Sequence, residues 1–150
     1  MPRTLTALLI TCALSATALA DPPKPRAFYR LDFTVTDTEG KRVDTHAYSL
    51  VLAEHETGEV QAVSNIALGQ ARLDVGTKLR AQLEVDGDTA VLTTDAEISA
   101  LAESKDGQVV VNKVEIRGVT ALTPGKAAPV GSADAGKERY AVEVTATKVR

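Results

Sequence analysis

Residues 71–85 read Ala-Arg-Leu-Asp-Val-Gly-Thr-Lys-Leu-Arg-Ala-Gln-Leu-Glu-Val. Ala71, Leu73, Val75, Thr77, Leu79, Ala81, Leu83 and Val85 fall on one face; Arg72, Asp74, Gly76, Lys78, Arg80, Gln82 and Glu84 fall on the other. A period of two belongs to a strand, whose successive side chains point to opposite sides. Fifteen residues of unbroken alternation make a long strand. One face is apolar and the other charged, as in an antiparallel sheet with one dry and one wet side.

The same period extends in both directions. Asp86-Gly87-Asp88 is a hairpin turn, and the return strand, Thr89 to about Ala102, puts Ala90, Leu92, Thr94, Ala96 and Ile98 on one side. Helix propensity over Asp95–Ser104 makes a helix the competing expectation there. Lys105-Asp106-Gly107 turns the chain again, before a strand over about Gln108–Thr123. Within it Val110, Val114 and Ile116 share a face, and a bulge at Gly118 is expected to shift the apolar side to Val119 and Ala121. After Pro124-Gly125 come a short strand at Ala127–Val130, an exposed loop at Gly131–Lys137 and a last strand at Arg139–Val149. Upstream, Tyr29, Leu31, Phe33 and Val35 alternate with polar residues; strands over Val43–Ala53 and Glu59–Leu68, turned at Glu56-Thr57-Gly58, complete a three-strand meander. The expected fold is all-β: a single antiparallel sandwich or partly closed barrel of about seven or eight strands.

Arg3, an apolar run from Leu5 to Ala20 and the small residues of Ala18-Leu19-Ala20 have the layout of a secretory signal peptide. The run is shorter than the roughly 20 apolar residues that span a bilayer. The division is then 1–20 signal peptide, 21–26 Pro-rich leader and 27–150 a single β domain, exported to the periplasm or beyond. The small residue that precedes a lipidated cysteine is missing before Cys12, and Cys12 leaves with the signal peptide, so the expected mature chain has no disulfide and holds together by burial and pairing. Only Arg3 of the 17 basic residues lies in the signal peptide, so 16 stand against 20 acidic ones, net −4. No basic stripe suits nucleic acid, and no membrane span is expected in the mature chain. With 3 Tyr, 2 Phe and no Trp, aromatic platforms for sugars and the girdles of an outer-membrane barrel are lacking.

Motifs that carry chemistry are weak. Gly131-Ser132-Ala133-Asp134-Ala135-Gly136-Lys137 fits the start of a phosphate-binding loop, but Glu138 stands where Ser or Thr must hold Mg²⁺, and a strand follows where a helix is needed. Glu54-His55-Glu56 offers ligands in a row, yet the other histidine, His46, is nine residues back; a solvated turn is the simpler reading. Asp86 and Asp88 around Gly87 are explained by turn geometry without Ca²⁺. No G-x-S-x-G elbow is present. Asn112 interrupts an apolar face as a satisfied core amide, a bulge contact or a ligand contact. No catalytic, cofactor-binding or metal residue is assigned, and no cofactor is expected.

From Asp74 onward, Asp74-Val75-Gly76-Thr77-Lys78-Leu79, the Val85-Asp86-Gly87-Asp88 turn, Glu97-Ile98-Ser99, Val119-Thr120-Ala121 and Pro124-Gly125-Lys126 before Val130-Gly131 follow a familiar order. Residues 74–132 resemble the C-terminal β-domain of bacterial secretins, the outer-membrane ring proteins of secretion and pilus systems. The resemblance implies a soluble relative of that β-unit. Val130-Gly131-Ser132 lacks the family's second Gly and Leu, and the chain closes on Lys148-Val149-Arg150 without a terminal aromatic, so pore formation is not carried over.

The expected function is that of an exported, non-catalytic β-domain protein acting in protein–protein interaction or assembly, with an envelope protein or a second copy as partner. The alternative is a periplasmic carrier of a small apolar ligand, in a cavity left by the small inward side chains Ala81, Ala90, Ala96 and Ala146. A hydrolase built on His46 or His55 is a third class, without motif support.

Overall fold

The computed structural model describes residues 26–69, 71–103 and 108–149. The expected signal peptide, most of the leader and the Lys105-Asp106-Gly107 turn lie outside the described residues. The strands are β1 (Phe28–Glu39), β2 (Arg42–Ala53), β3 (Thr57–Leu68), β4 (Ala71–Asp86), β5 (Thr89–Glu103), β6 (Val109–Leu122), β7 (Ala127–Ala135) and β8 (Glu138–Lys148). They form two antiparallel four-stranded sheets, ordered β2-β1-β8-β7 and β3-β4-β5-β6. The sheets pack as a sandwich and do not close into a barrel.

Alternation sets which side chains enter the core. Leu31, Phe33 and Val35 of β1 and Val142 and Val144 of β8 share one apolar cluster with Leu79 and Leu83 of β4 and Leu92 of β5, none more than 1% exposed. Each such side chain supplies roughly 1.5–3 kcal/mol on burial. Asp95–Glu103 is strand, not helix: it lies between β4 and β6, and ladder bonds with packing outweigh a weak helix propensity. On β4 the dry stretch runs from Thr77 to Leu83, while Leu73 and Val75 are half-buried. The β4–β5 ladder ends at Gly76 and Ser99, where the Ser99 hydroxyl accepts the Gly76 N–H (3.1 Å). Gly76 has φ +140°, and a side chain there would strike the Ala62 backbone, so the β3–β4 hairpin bends away from β5 at a glycine.

Three expectations are corrected. First, β3 does not continue a meander from β2; it pairs with β4 in the other sheet. The turn is Glu54–Glu56, with His55 at φ +61°, and the Glu56 carbonyl accepts the Leu83 N–H (3.0 Å), which carries the chain across the core. Thr57 and Gly58 already belong to β3. Second, Gly118 is not a bulge. The β5–β6 register is unbroken, Thr120 and Leu122 stay buried, and Val119 is 72% exposed. Gly118 is small because a Cβ there would meet the Val130 carbonyl; the irregularity lies on β7, between Pro129 and Gly131. Third, Gly131–Ala135 is strand, not loop. Its residues are small and polar, but Ala133 and Ala135 pack on the core, β8 supplies the ladder, and only Gly136 and Lys137 turn.

Candidate interaction edges and the end cavity

The sandwich has two seams where the sheets approach each other. Along β6 and β7 the seam is shut. Thr120 Oγ1 donates to the Pro129 carbonyl (3.0 Å), Gly118 faces Val130, and Gly131 lies against Ile116. β7 is nine residues long and carries a proline and an irregular register, devices that blunt an edge.

Along β2 and β3 the seam is open. Among the described residues neither strand pairs on its outer side, and β2, twelve residues long, contains no Pro, Gly or Lys. The direction of its backbone groups follows from the first bond of the ladder. Glu54 N–H donates to the Ala27 carbonyl (3.1 Å), and the β1–β2 register is unbroken. In an antiparallel pair bonded and non-bonded positions alternate, so even-numbered residues of β2 bond to β1. Val43, Thr45, Ala47, Ser49 and Val51 turn N–H and C=O to the open side. Ala53, of the same parity, agrees: its N–H takes the Glu56 carboxylate (3.2 Å) and its carbonyl accepts the Glu56 N–H (3.3 Å). The outward side chains of this row are uncharged, and Val43 and Val51 are 59% and 54% exposed. The outer face of the second sheet differs. Lys78, Glu97, Lys113 and Glu115 link across β4, β5 and β6, and Lys113 holds the Glu97 carboxyl below its usual range through a 2.8 Å contact.

At the far end of the open seam a cavity of about 340 Å³ lies between the sheets. Val35, Ala62 and Ile98 give apolar lining, and Asp37, His46, Tyr48 and Tyr140 give polar groups. Beside it, Asp37, Glu39, Asp44 and Glu138 gather around Arg42. The register sets Asp37 opposite Asp44 and Glu39 opposite Glu138, and like charges directly opposed are unfavourable. Burial, then Glu138, Asp44 and Glu39, push the Asp37 carboxyl above its ordinary range, and its Oδ1 is shielded without a partner. Burial, then the 2.6 Å bond it donates to Glu138, pushes the Tyr140 phenol up.

The sequence motifs do not converge. His46 lines the end cavity; His55, at the other end of β2, meets Glu84 (2.7 Å). Asp86-Gly87-Asp88 is a turn with Gly87 at φ +59°. Gly131–Lys137 precedes no helix N-terminus, so no phosphate cradle forms. Asn112, half-buried opposite Ala100, lines a cleft with Gly136, Lys137 and Glu138. Among the described residues no three His, Asp or Glu side chains are grouped to hold a metal ion, and no helix is long and apolar enough to cross a membrane. Ala81, Ala90, Ala96 and Ala146 are buried in the packed core and do not line the end cavity. Sequence reasoning missed the free β2 edge, because it paired this strand with β3; the lack of Pro, Gly and Lys over 42–53 is the signal that fits an open edge, and the acidic recess needed the register.

No family model matches the chain, and no curated protein matches it in sequence. Solved secretin structures do match in fold. The type II secretin GspD of enteropathogenic Escherichia coli superimposes with a TM-score of 0.64 at 8% identity, over 84% of this chain and 70% of that one. GspD in the ETEC pilotin–secretin complex AspS–GspD gives 0.62 at 9% identity, over 84% and 50%. ExeD of Aeromonas hydrophila gives 0.54 at 11% identity, over 83% and 46%. The chain spans half or less of the last two. The resemblance drawn from residues 74–132 therefore holds for the fold over most of the chain.

Proposed function

We propose that the protein is an exported, non-catalytic β-domain of the bacterial envelope that acts by assembly, pairing an open strand edge with a partner protein or with a second copy. The observation that carries this reading is the contrast between the two seams. β7 is short, irregular and proline-bearing, whereas β2 leaves a full row of backbone donors and acceptors unpaired and unguarded among the described residues. The shared fold supports it: the neighbours are secretins, and one is described in complex with a pilotin. Export rests on the leader sequence and on these neighbours. Native mass spectrometry of the protein, purified gently from a periplasmic fraction, tests the proposal. A discrete multimer or a retained protein partner is expected; a bare monomer, in the native host as well, would overturn it.

A second reading has its own observation. The end cavity is within the range of small-ligand sites and has apolar lining with a few polar groups. A carrier would bind an environment-sensitive apolar dye there and lose it on Ile98→Asp. No dye binding removes that reading.

A further inference from the structure

The open row of β2 is nearly its own mirror. Read about Ala47 it runs Val43, Thr45, Ala47, Ser49, Val51. If two copies of β2 meet antiparallel with Ala47 facing Ala47, then Val43 faces Val51 and Thr45 faces Ser49, each twice. β-Branched and hydroxyl pairs are favourable cross-strand neighbours, and no like charges are opposed. All five residues have edge-facing backbone groups by the parity established above. Five bonded pairs of two bonds each give about ten hydrogen bonds. Moving the axis by half a residue sets odd positions against even ones; moving it by a whole residue keeps odd against odd but leaves four bonded pairs within the row and sets the valines against Ser49 or Thr45, so the register about Ala47 keeps the most bonds and the best side-chain pairs.

Charge agrees at both margins. The same register carries the chain past β2 so that Lys41, in the β1–β2 turn, faces Ala53, whose N–H is held by Glu56. The Lys41 ammonium of one copy then lies near the Glu54 and Glu56 carboxylates of the other. On the inner side, Tyr48 faces His46 and half-buried Leu50 faces Asp44 of the other copy. Each copy gives the same β2 edge to the two-fold contact and uses it up, so association through β2 ends at two copies.

The geometry points to a two-fold dimer in which the β2 strands of two copies join edge to edge about Ala47, making one continuous eight-stranded sheet. This rests on the assembly reading and adds the partner, the symmetry and the register. Such contact is isologous: each residue's partner is fixed by the axis, and the assembly closes on itself.

Single cysteines test it in the full-length chain on a Cys12→Ser background, which leaves the introduced thiol alone. Facing residues of a bonded antiparallel pair have Cα atoms about 5.5 Å apart, within reach of a disulfide. Ala47→Cys should therefore cross-link to a dimer under mild oxidation. Thr45→Cys should not, because its copies lie four residues out of register, on the order of 13 Å apart. Both sites are exposed, so both variants should fold as the parent does, which circular dichroism checks. A second pair keeps the result independent of thiol chemistry. Val43→Glu with Val51→Glu opposes like charges and should shift sedimentation to monomer; Val43→Lys with Val51→Glu should restore the dimer. Equal cross-linking of both cysteines, cross-linking of neither, or a dimer indifferent to the charge swap would overturn the register. If the parent is a monomer that nevertheless retains another protein, the dimer fails and the assembly reading stands.

Discussion

Replacing Gly118 by alanine separates a shut seam from an open one. Gly118 points inward on β6 and is half-buried, and its φ is not among the positive ones, so the backbone itself does not require glycine. In an ordinary extended position Gly→Ala would stabilise by about 0.4–1 kcal/mol, by restricting the unfolded chain. Here the new methyl would enter the space of the Val130 carbonyl oxygen. That carbonyl is a poor candidate to move: it sits at the β7 irregularity, next to Pro129, whose own carbonyl is tied to Thr120 at 3.0 Å. Overpacking of this kind costs about 1–3 kcal/mol. Set against the entropic gain, the net is a loss of about 1–2 kcal/mol. With a urea slope of about 1.5–2 kcal/mol/M, the midpoint should fall by about 0.5–1 M with the slope unchanged. Gly131→Ala is the companion: its methyl would meet only the Cγ2 methyl of Ile116, at 2.8 Å, where Gly118→Ala meets a backbone carbonyl at 2.2 Å, so its loss should be smaller. A Gly118→Ala midpoint equal to or above the parent's would refute the shut seam.

Two further outcomes follow from single buried groups. Thr94 is 1% exposed and its hydroxyl oxygen has no partner, so Thr94→Val should stabilise by about 1 kcal/mol in the same urea assay; a loss would mean that the hydroxyl is bonded. Asp37→Asn should stabilise at pH 7. A carboxyl whose folded-state pKa is raised is favoured in its protonated form by folding, so its contribution is recovered as pH falls through that pKa and lost at neutral pH. The variant's advantage should shrink on acidification, and an advantage that grows instead would reverse the sign assigned to the recess.

Much of the fold is legible in side-chain parity. Within the run 71–85, residues 77–83 and the return at 90–98 have the buried faces that parity predicts, residue by residue, because both stretches lie in a single ladder. What parity does not carry is pairing. Nothing in Glu54–Glu56 says that the chain leaves one sheet for the other; that is decided by a positive φ at His55 and a bond to Leu83, contacts far apart in sequence. Gly118 shows the same limit, since a glycine excluded by a facing carbonyl and a glycine at a bulge read alike. Gly131–Ala135 was obscured by composition: small polar residues suit a loop, and a strong partner in β8 overrides that. The β2 edge was visible as a strand, but its freedom became apparent only once β3 was found in the other sheet.

Residue-resolved amide exchange along β2 tests the central claim most directly, because the strand contains its own control. Even-numbered amides from Asp44 to Leu52 face β1 and should be protected in every state; those of Val43, Thr45, Ala47, Ser49 and Val51 face outward. The odd-numbered set should exchange quickly in dilute, dissociated protein and slow markedly in the assembled protein recovered from the envelope. Unchanged, fast exchange of those five amides in the assembled protein would contradict assembly through this edge.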